Sequence, residues 1–336
     1  MLLLILLTLA MTQSCVTTKK TIMRQDPLIG KIINTKTGRA TDFSSLIKDI
    51  SSHDVIYFSE KHDNPEHHNI QQIIIHGLIE SSIQPTVGFE FFSMDDTPDL
   101  LNFIDSGKVD HPEKIEKIIE ADLRRKLGWD SQSDKMWKYY FDLLTIAKEE
   151  NLKVAGIDLP TTLKKRVTRK GIDNISPIEK DMIFSTHLSD KAYKDYMLSI
   201  FKAVHCGMGN EQMQSRLYDT WTARNDKMAL SITQLAKHGN GPVVVIIGGG
   251  HTEYGLGVIS RVREIDKNIT QVNIALQEIS VKPSNLSEYT QPLELKGFKK
   301  RPPADFLWFT QRVSYKDPCK EFKKSLQKMK SVHKKK

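Results

Sequence analysis

Four short apolar runs, Val55–Phe58, Val87–Phe89, Val154–Ile157 and Val243–Ile247, are separated by stretches of helical periodicity, and this alternation limits the fold more than any other feature. Apolar runs of strand length with no polar alternation suit strands covered on both faces. Joined by helices, such strands form a mainly parallel sheet. The expected fold is α/β, a mainly parallel sheet flanked by helices, with a helical insertion. A chain of 336 residues that is 39% hydrophobic has enough apolar side chains for one large domain or two small ones.

Residues 65–80 have helical periodicity through Ile70, Ile73, Ile74 and Ile75, introduced by Asp63, Asn64 and Pro65 as a start signal. Between residues 133 and 150, Met136, Tyr140, Leu143, Leu144 and Ala147 recur at three- and four-residue steps and share one helical face. Residues 161–240 read as the helical insertion, with helices at Asp190–Ala203 and Glu211–Lys237. A helix near Leu256–Arg263, a strand at Val272–Ile279 and an apolar run at Phe306–Phe309 follow. The polar, proline-containing stretch from Lys282 to Pro303 is an excursion that returns to the core at Asp305–Thr310. No long-period repeat occurs, which argues against a solenoid.

The ends of the chain carry their own signals. Met1 to Met11 is nearly all apolar, shorter than the ~20 residues a membrane-crossing helix needs, and Thr12-Gln13-Ser14 then precedes Cys15. Residues 1–14 are read as a lipoprotein signal peptide and Cys15 as the lipidated first residue of the mature protein, with an ordinary secretory leader as the alternative. Polar residues 15–30 form a tether, residues 31–318 the α/β domain and residues 319–336 a lysine-rich tail. The expected location is the bacterial cell envelope, as an outer-membrane lipoprotein attached to the membrane through Cys15. The net charge is +8, yet residues 320–336 alone hold eight lysines and one glutamate, so the body is close to neutral. That distribution argues against nucleic-acid binding, while the tail could attract anionic head groups. With Cys15 lipidated, Cys206 and Cys319 are either a disulfide pair or two unconnected thiols.

In an open parallel sheet, ligands bind at the carboxyl ends of the strands. Here the four runs lead into Glu60, Lys61, His62 and Asp63, into Glu90, into Asp158, and into Gly248-Gly249-Gly250-His251. Each acid alone reads as a helix cap or solvated loop residue, but together Glu60, His62, Glu90, Asp158 and His251 could hold a metal or exchange protons. The glycines fail the dinucleotide fingerprint, because Glu253 stands where its last glycine would be, and they read instead as a tight turn that aims His251. Five of the eleven histidines lie between residues 53 and 76 without any known zinc spacing; His68 and Gln72 are candidates for supporting hydrogen bonds. No G-x-S-x-G elbow is present. Tyr140, with Trp137, Met136 and Phe141 around it, has two readings: a phenolate in an apolar slot able to ligate ferric haem, or a core-helix tyrosine whose hydroxyl reaches the surface.

Taken in order, these motifs resemble the ChaN-like family of haem-binding lipoproteins, within a superfamily that includes Tiki-type proteases and erythromycin esterases. The resemblance rests on residues 55–65 with His68, on Gly88-Phe89-Glu90, and on Trp137, Tyr140 and Ala147. It extends to His205-Cys206-Gly207, Arg224 to Ala229, Gly248 to His251, and Ala304 to Thr310 ahead of Asp317-Pro318-Cys319. Ser59 replaces the glycine that commonly precedes the glutamate. The resemblance implies exchangeable b-type haem bound in iron uptake, Tyr140 as iron ligand, and a haem-linked homodimer. It leaves His205 and His251 as candidates for the assisting histidine, and a haem receptor or transporter as an unidentified partner. The wider superfamily implies a metal-dependent hydrolase, with Glu60, His62, Glu90 and His251 as its catalytic residues and a divalent ion as its cofactor. A third reading is a structural envelope protein whose polar rim only caps and pairs.

Overall fold

A computed structural model describes residues 25–324 except 107–112, 189, 283 and 322. The signal peptide, Cys15, most of the tether and the tail beyond residue 324 lie outside the described residues.

Eight strands form one sheet: β1 (Ile32–Asn34), β2 (Arg39–Thr41), β3 (Val55–Glu60), β4 (Thr86–Ser93), β5 (Val154–Asp158), β6 (Val243–Gly248), β7 (Gln271–Glu278) and β8 (Phe306–Thr310). Their order is β2-β1-β8-β7-β3-β6-β4-β5. All pairings from β8 to β5 are parallel, while at the other edge β1 runs antiparallel to both β8 and β2. The helices are α1 (Phe43–Ile50), α2 (Pro65–Glu80), α3 (Thr97–Asp105), α4 (Glu113–Lys126), α5 (Asp134–Glu149), α6 (Thr161–Lys170), α7 (Pro177–Asp181), α8 (Lys191–Val204), α9 (Glu211–His238), α10 (Val258–Ile265) and α11 (Leu286–Tyr289). Among the described residues no helix is long and apolar enough to cross a membrane.

Strand periodicity sorts the core into two layers. Ile56 and Phe58 of β3 pack with Val244 and Ile246 of β6 against α1, α2 and α5. Their neighbours Val55, Tyr57, Val243, Val245 and Ile247 point to the other face and meet Met228, Ala229 and Ile232 of α9 and Val258 and Val262 of α10. Helix α2 begins where its sequence signals place it. Asn64 caps it by accepting from the Glu66 N–H at 2.9 Å, and Pro65 occupies the first turn, where no intrahelical donor is needed. The Asn64 amide also donates to Glu278 Oε1 at 3.1 Å and to the Gln311 carbonyl at 3.0 Å, tying β3, β7 and β8 together at their carboxyl ends.

Three features differ from the sequence reading. The hairpin and α1 precede the first run, and α3 and α4 lie between the second and third. Ile73 is 48% exposed, while His67, His68 and Gln71 turn inward on α2, so that helix puts polar groups rather than a continuous apolar stripe beneath the rim. The excursion contains the one-turn α11 and a Leu293–Arg301 bridge.

Candidate functional site

Strands β3 and β4 are consecutive in sequence, but β6 inserts between them, so the chain reverses its winding there and opens a crevice above the strand ends. The register places Glu60 beside Gly248, with β4 on the other side of β6. Between Phe89 and Ser93 the β4–β5 register shifts, and this bulge carries Glu90, Phe91 and Phe92. Gly156 makes the bulge sterically permissible, since a Cβ there would collide with the Ser93 carbonyl.

Glu60 is 5% exposed and saturated with donors. Its Oε1 accepts from the Tyr140 hydroxyl at 2.5 Å and lies 3.0 Å from His62 Nδ1, and its Oε2 accepts from Gln71 Nε2. His68 stands 3.5 Å from Oε2, with Nδ1 3.1 Å from Gln71 Oε1 and Nε2 3.0 Å from the His62 carbonyl. The supporting glutamine is therefore Gln71 rather than Gln72. Positions 71 and 72 both neighbour 68 on the helix, but Gln71 is the one that turns fully inward toward Glu60 while Gln72 is only partly buried.

The Tyr140 ring is fully buried, with Phe91 at 4.5 Å, His68 at 5.2 Å and Trp129 at 5.4 Å between centroids. Its hydroxyl does not reach the surface, because Glu60 holds it inside. Burial and the neighbouring Glu60 push the phenol pKa up, which keeps the hydroxyl protonated. The adjacent Tyr139 stacks on His68 at 4.3 Å, and its buried hydroxyl has no hydrogen-bond partner.

The second half of the rim centres on Glu90, also buried. Its Oε1 takes Arg224 Nη2 at 2.6 Å and lies 3.2 Å from His251 Nε2, and its Oε2 accepts from the Gly248 N–H at 2.6 Å. Burial alone would raise this carboxyl, but His251 and Arg224 reverse the effect and hold it well below the ordinary carboxylate range. Arg224 also meets Asp158 Oδ2 at 2.9 Å, which Lys164 Nζ approaches to 2.7 Å. His251 is fixed on its other nitrogen by Asn225 Oδ1 at 2.6 Å and stacks on Trp221 at 3.9 Å. Burial lowers its pKa despite the attraction of Glu90.

His62 spans the two halves. It bonds to Glu60 through Nδ1, meets Phe91 edge-on at 4.6 Å, and has a side chain that is 43% exposed. Burial pulls its pKa down, but the Glu60 bond and the charges of Glu90 and Glu60 leave it raised. The ring lies over β6 where Gly248 has no side chain; a Cβ at Gly248 would sit 2.6 Å from His62 Cε1.

The structure thus gathers Glu60, His62, Glu90, Asp158, Tyr140 and His251. His205 stands apart. It follows α8, bonds to the Phe201 carbonyl at 2.7 Å and, among the described residues, makes no hydrogen bond or ion pair with the rim. The disulfide between Cys206 and Cys319 lies beside it, with Cα atoms 5.5 Å apart. Arg224 and Asn225 join the site from α9, though the motif that contains them points to no site role in the sequence. Their signal was positional, since they continue the buried stripe of Met228, Ala229 and Ile232 backwards by helical steps, as polar residues where apolar ones are the rule. Among the described residues no group of three or more His, Cys, Asp or Glu side chains is arranged to hold a metal ion. The divalent-ion form of the hydrolase reading therefore has no ready ligand set there. What the rim offers is acid–base chemistry: two carboxylates, each paired with a histidine, and a neutral phenol beside one of them.

A family model described as haem-binding uptake, Tiki superfamily, ChaN matches residues 46–262. Among solved structures, one described as cofacial heme binding to ChaN of Campylobacter jejuni is similar with a TM-score of 0.60 and 18% identity, over 82% of this chain and 95% of that one. The type III effector HopBA1, at 12% identity, has a TM-score of 0.41 over 79% of this chain and 91% of that one. An erythromycin esterase, also at 12% identity, has a TM-score of 0.41 over 83% and 81%. No curated protein matches the chain in sequence.

Proposed function

Since the chain belongs to the haem-binding uptake family of the Tiki superfamily, we propose that it is an envelope-anchored lipoprotein that binds haem in iron uptake, with a tyrosine as the iron ligand. The observation that carries the ligand assignment is the 2.5 Å bond from the Tyr140 hydroxyl to Glu60 Oε1. Ferric haem takes an anionic phenolate, so a ligating tyrosine needs a base for its proton. Glu60 is that base, already in contact. Proton transfer from Oη to Oε1 leaves a phenolate beside a neutral carboxylic acid and removes the repulsion between two anions. Phe91 and Trp129 pack against the ring, and the 43% exposed His62 shares Glu60 with its hydroxyl. The proposal includes anchoring through Cys15 in the outer membrane, exchangeable b-type haem, and a haem-linked homodimer in which His251 assists from the rim.

Ferric-haem titration of the 16–336 fragment, followed by absorbance and sedimentation, tests this reading. Tyr140→Phe is expected to weaken binding at least tenfold and Tyr139→Phe to leave it within threefold; the opposite pattern would move the ligand to Tyr139.

A second reading, hydrolysis by the rim, is favoured by Asn225. Its Oδ1 fixes His251 while its buried Nδ2 has no acceptor, which leaves a donor for a substrate oxygen next to the Glu90–His251 pair. Turnover of an ester or peptide panel, abolished in Glu90→Gln, would support it.

A further inference from the structure

A cleft of about 590 Å³ opens between the start of α8, α10 and Phe298. Its walls are apolar: Leu188, Tyr193, Leu256 and Phe298. Two arginines of α10 line it as well. Arg261 is 1% exposed; its Nε donates to Asp226 Oδ1 at 2.7 Å and its Nη1 to the Gly257 carbonyl at 3.0 Å, but its Nη2 has no acceptor. The half-buried Arg263 has no hydrogen bond or ion pair to its guanidinium among the described residues. Burial and the like charge of Arg301 lower its pKa against the opposing pull of Tyr57 and Asp305. Of the acids that line the cleft, Asp190 caps α8 by accepting from the Tyr193 N–H at 2.8 Å, and Glu264 is exposed.

We infer that this cleft binds a small amphipathic carboxylate, its apolar body against Leu256, Tyr193 and Phe298 and its head on the arginines of α10. The volume lies within the usual range of small-molecule sites, roughly 300–1,000 Å³. The planar guanidinium fork suits two carboxylate oxygens, and the unpartnered nitrogen of Arg261 supplies a second cationic donor at the same wall. The site is independent of the haem reading, since it shares no residue with the strand-end rim.

Calorimetric titration of the full chain with decanoate tests the assignment, with decanol and inorganic phosphate as separate arms for the apolar body and the anion. Decanoate should saturate one site, with decanol and phosphate at least tenfold weaker. Arg263→Gln should weaken decanoate at least tenfold, and Ser260→Trp, which fills the cleft, should abolish its binding; ferric-haem titration should be unchanged in Arg263→Gln. Decanol binding as tightly as decanoate, decanoate failing to saturate, or Arg263→Gln binding as the unaltered chain does would each overturn the inference.

Discussion

The Tyr140 hydroxyl and Glu60 Oε1 lie 2.5 Å apart although they are 80 residues apart in sequence, one on a helix and one at the end of a central strand. This bond fixes α5 to the sheet and places a phenol next to a base in a buried setting. Removing the donor by Tyr140→Phe leaves Glu60 buried with one partner fewer, at a cost of about 1–3 kcal/mol. Urea unfolding should show a lower midpoint with an unchanged slope.

Gly248→Ala tests whether the bare strand end positions His62. The added methyl would displace the ring, and His62 is exposed enough to swing outward, so the loss of stability should stay at about 1–3 kcal/mol. Without its Glu60 bond, the His62 pKa should fall back toward its ordinary value, as read by the pH dependence of its NMR ring protons. An unchanged titration would mean that His62 is held by something other than Glu60.

His67 contributes to the acid limb of stability. It is fully buried, its Nδ1 accepts from the Lys61 N–H at 2.9 Å and its Nε2 meets Thr310 Oγ1 at 2.9 Å. Burial, with His68 and Lys61 nearby, pushes its pKa down to about 3. A depressed folded-state value favours the neutral ring, so its stabilising contribution is complete above the unfolded value of about 6.5 and is lost as pH falls toward 3. Unfolding free energy should decline below pH ~6 by up to about 1.4 kcal/mol per pH unit from this group. His67→Gln should be less stable at pH 7 but decline less steeply; equal slopes would remove His67 from the account.

The fold was legible because buried parallel strands must be apolar throughout, and the four runs Val55–Phe58, Val87–Phe89, Val154–Ile157 and Val243–Ile247 all became parallel strands, the first, second and fourth inside the sheet and the third at its edge. The β1–β2 hairpin was not, since its three-residue strands are too short to carry a period, and β2 is largely exposed. At the rim, the strand-end positions of Glu60, Glu90, Asp158 and His251 followed from topology alone. The choice of Gln71 over Gln72 and the inward turn of Tyr140 depended on how α2 and α5 rotate about their axes, which packing against β3 and β4 decides. Arg224 and Asn225 come from a helix whose register relative to the sheet no local pattern reveals.

The Cys206–Cys319 bond closes a span of 113 residues and ties the segment after β8 to the turn between α8 and α9. Reduction or Cys319→Ser should cost about 2–4 kcal/mol in urea unfolding. Equal stability with and without reductant would show that the link restrains the chain little in the unfolded state.

The central claim is that Tyr140, with Glu60 as its base, takes the iron of haem. The most direct test is a ferric-haem titration of the 16–336 fragment beside Tyr140→Phe. Saturable binding with a tyrosinate-type charge-transfer band, weakened at least tenfold and stripped of that band in Tyr140→Phe, is the predicted result. Binding of equal strength and identical spectrum in the two proteins, or no saturation in either, would contradict it.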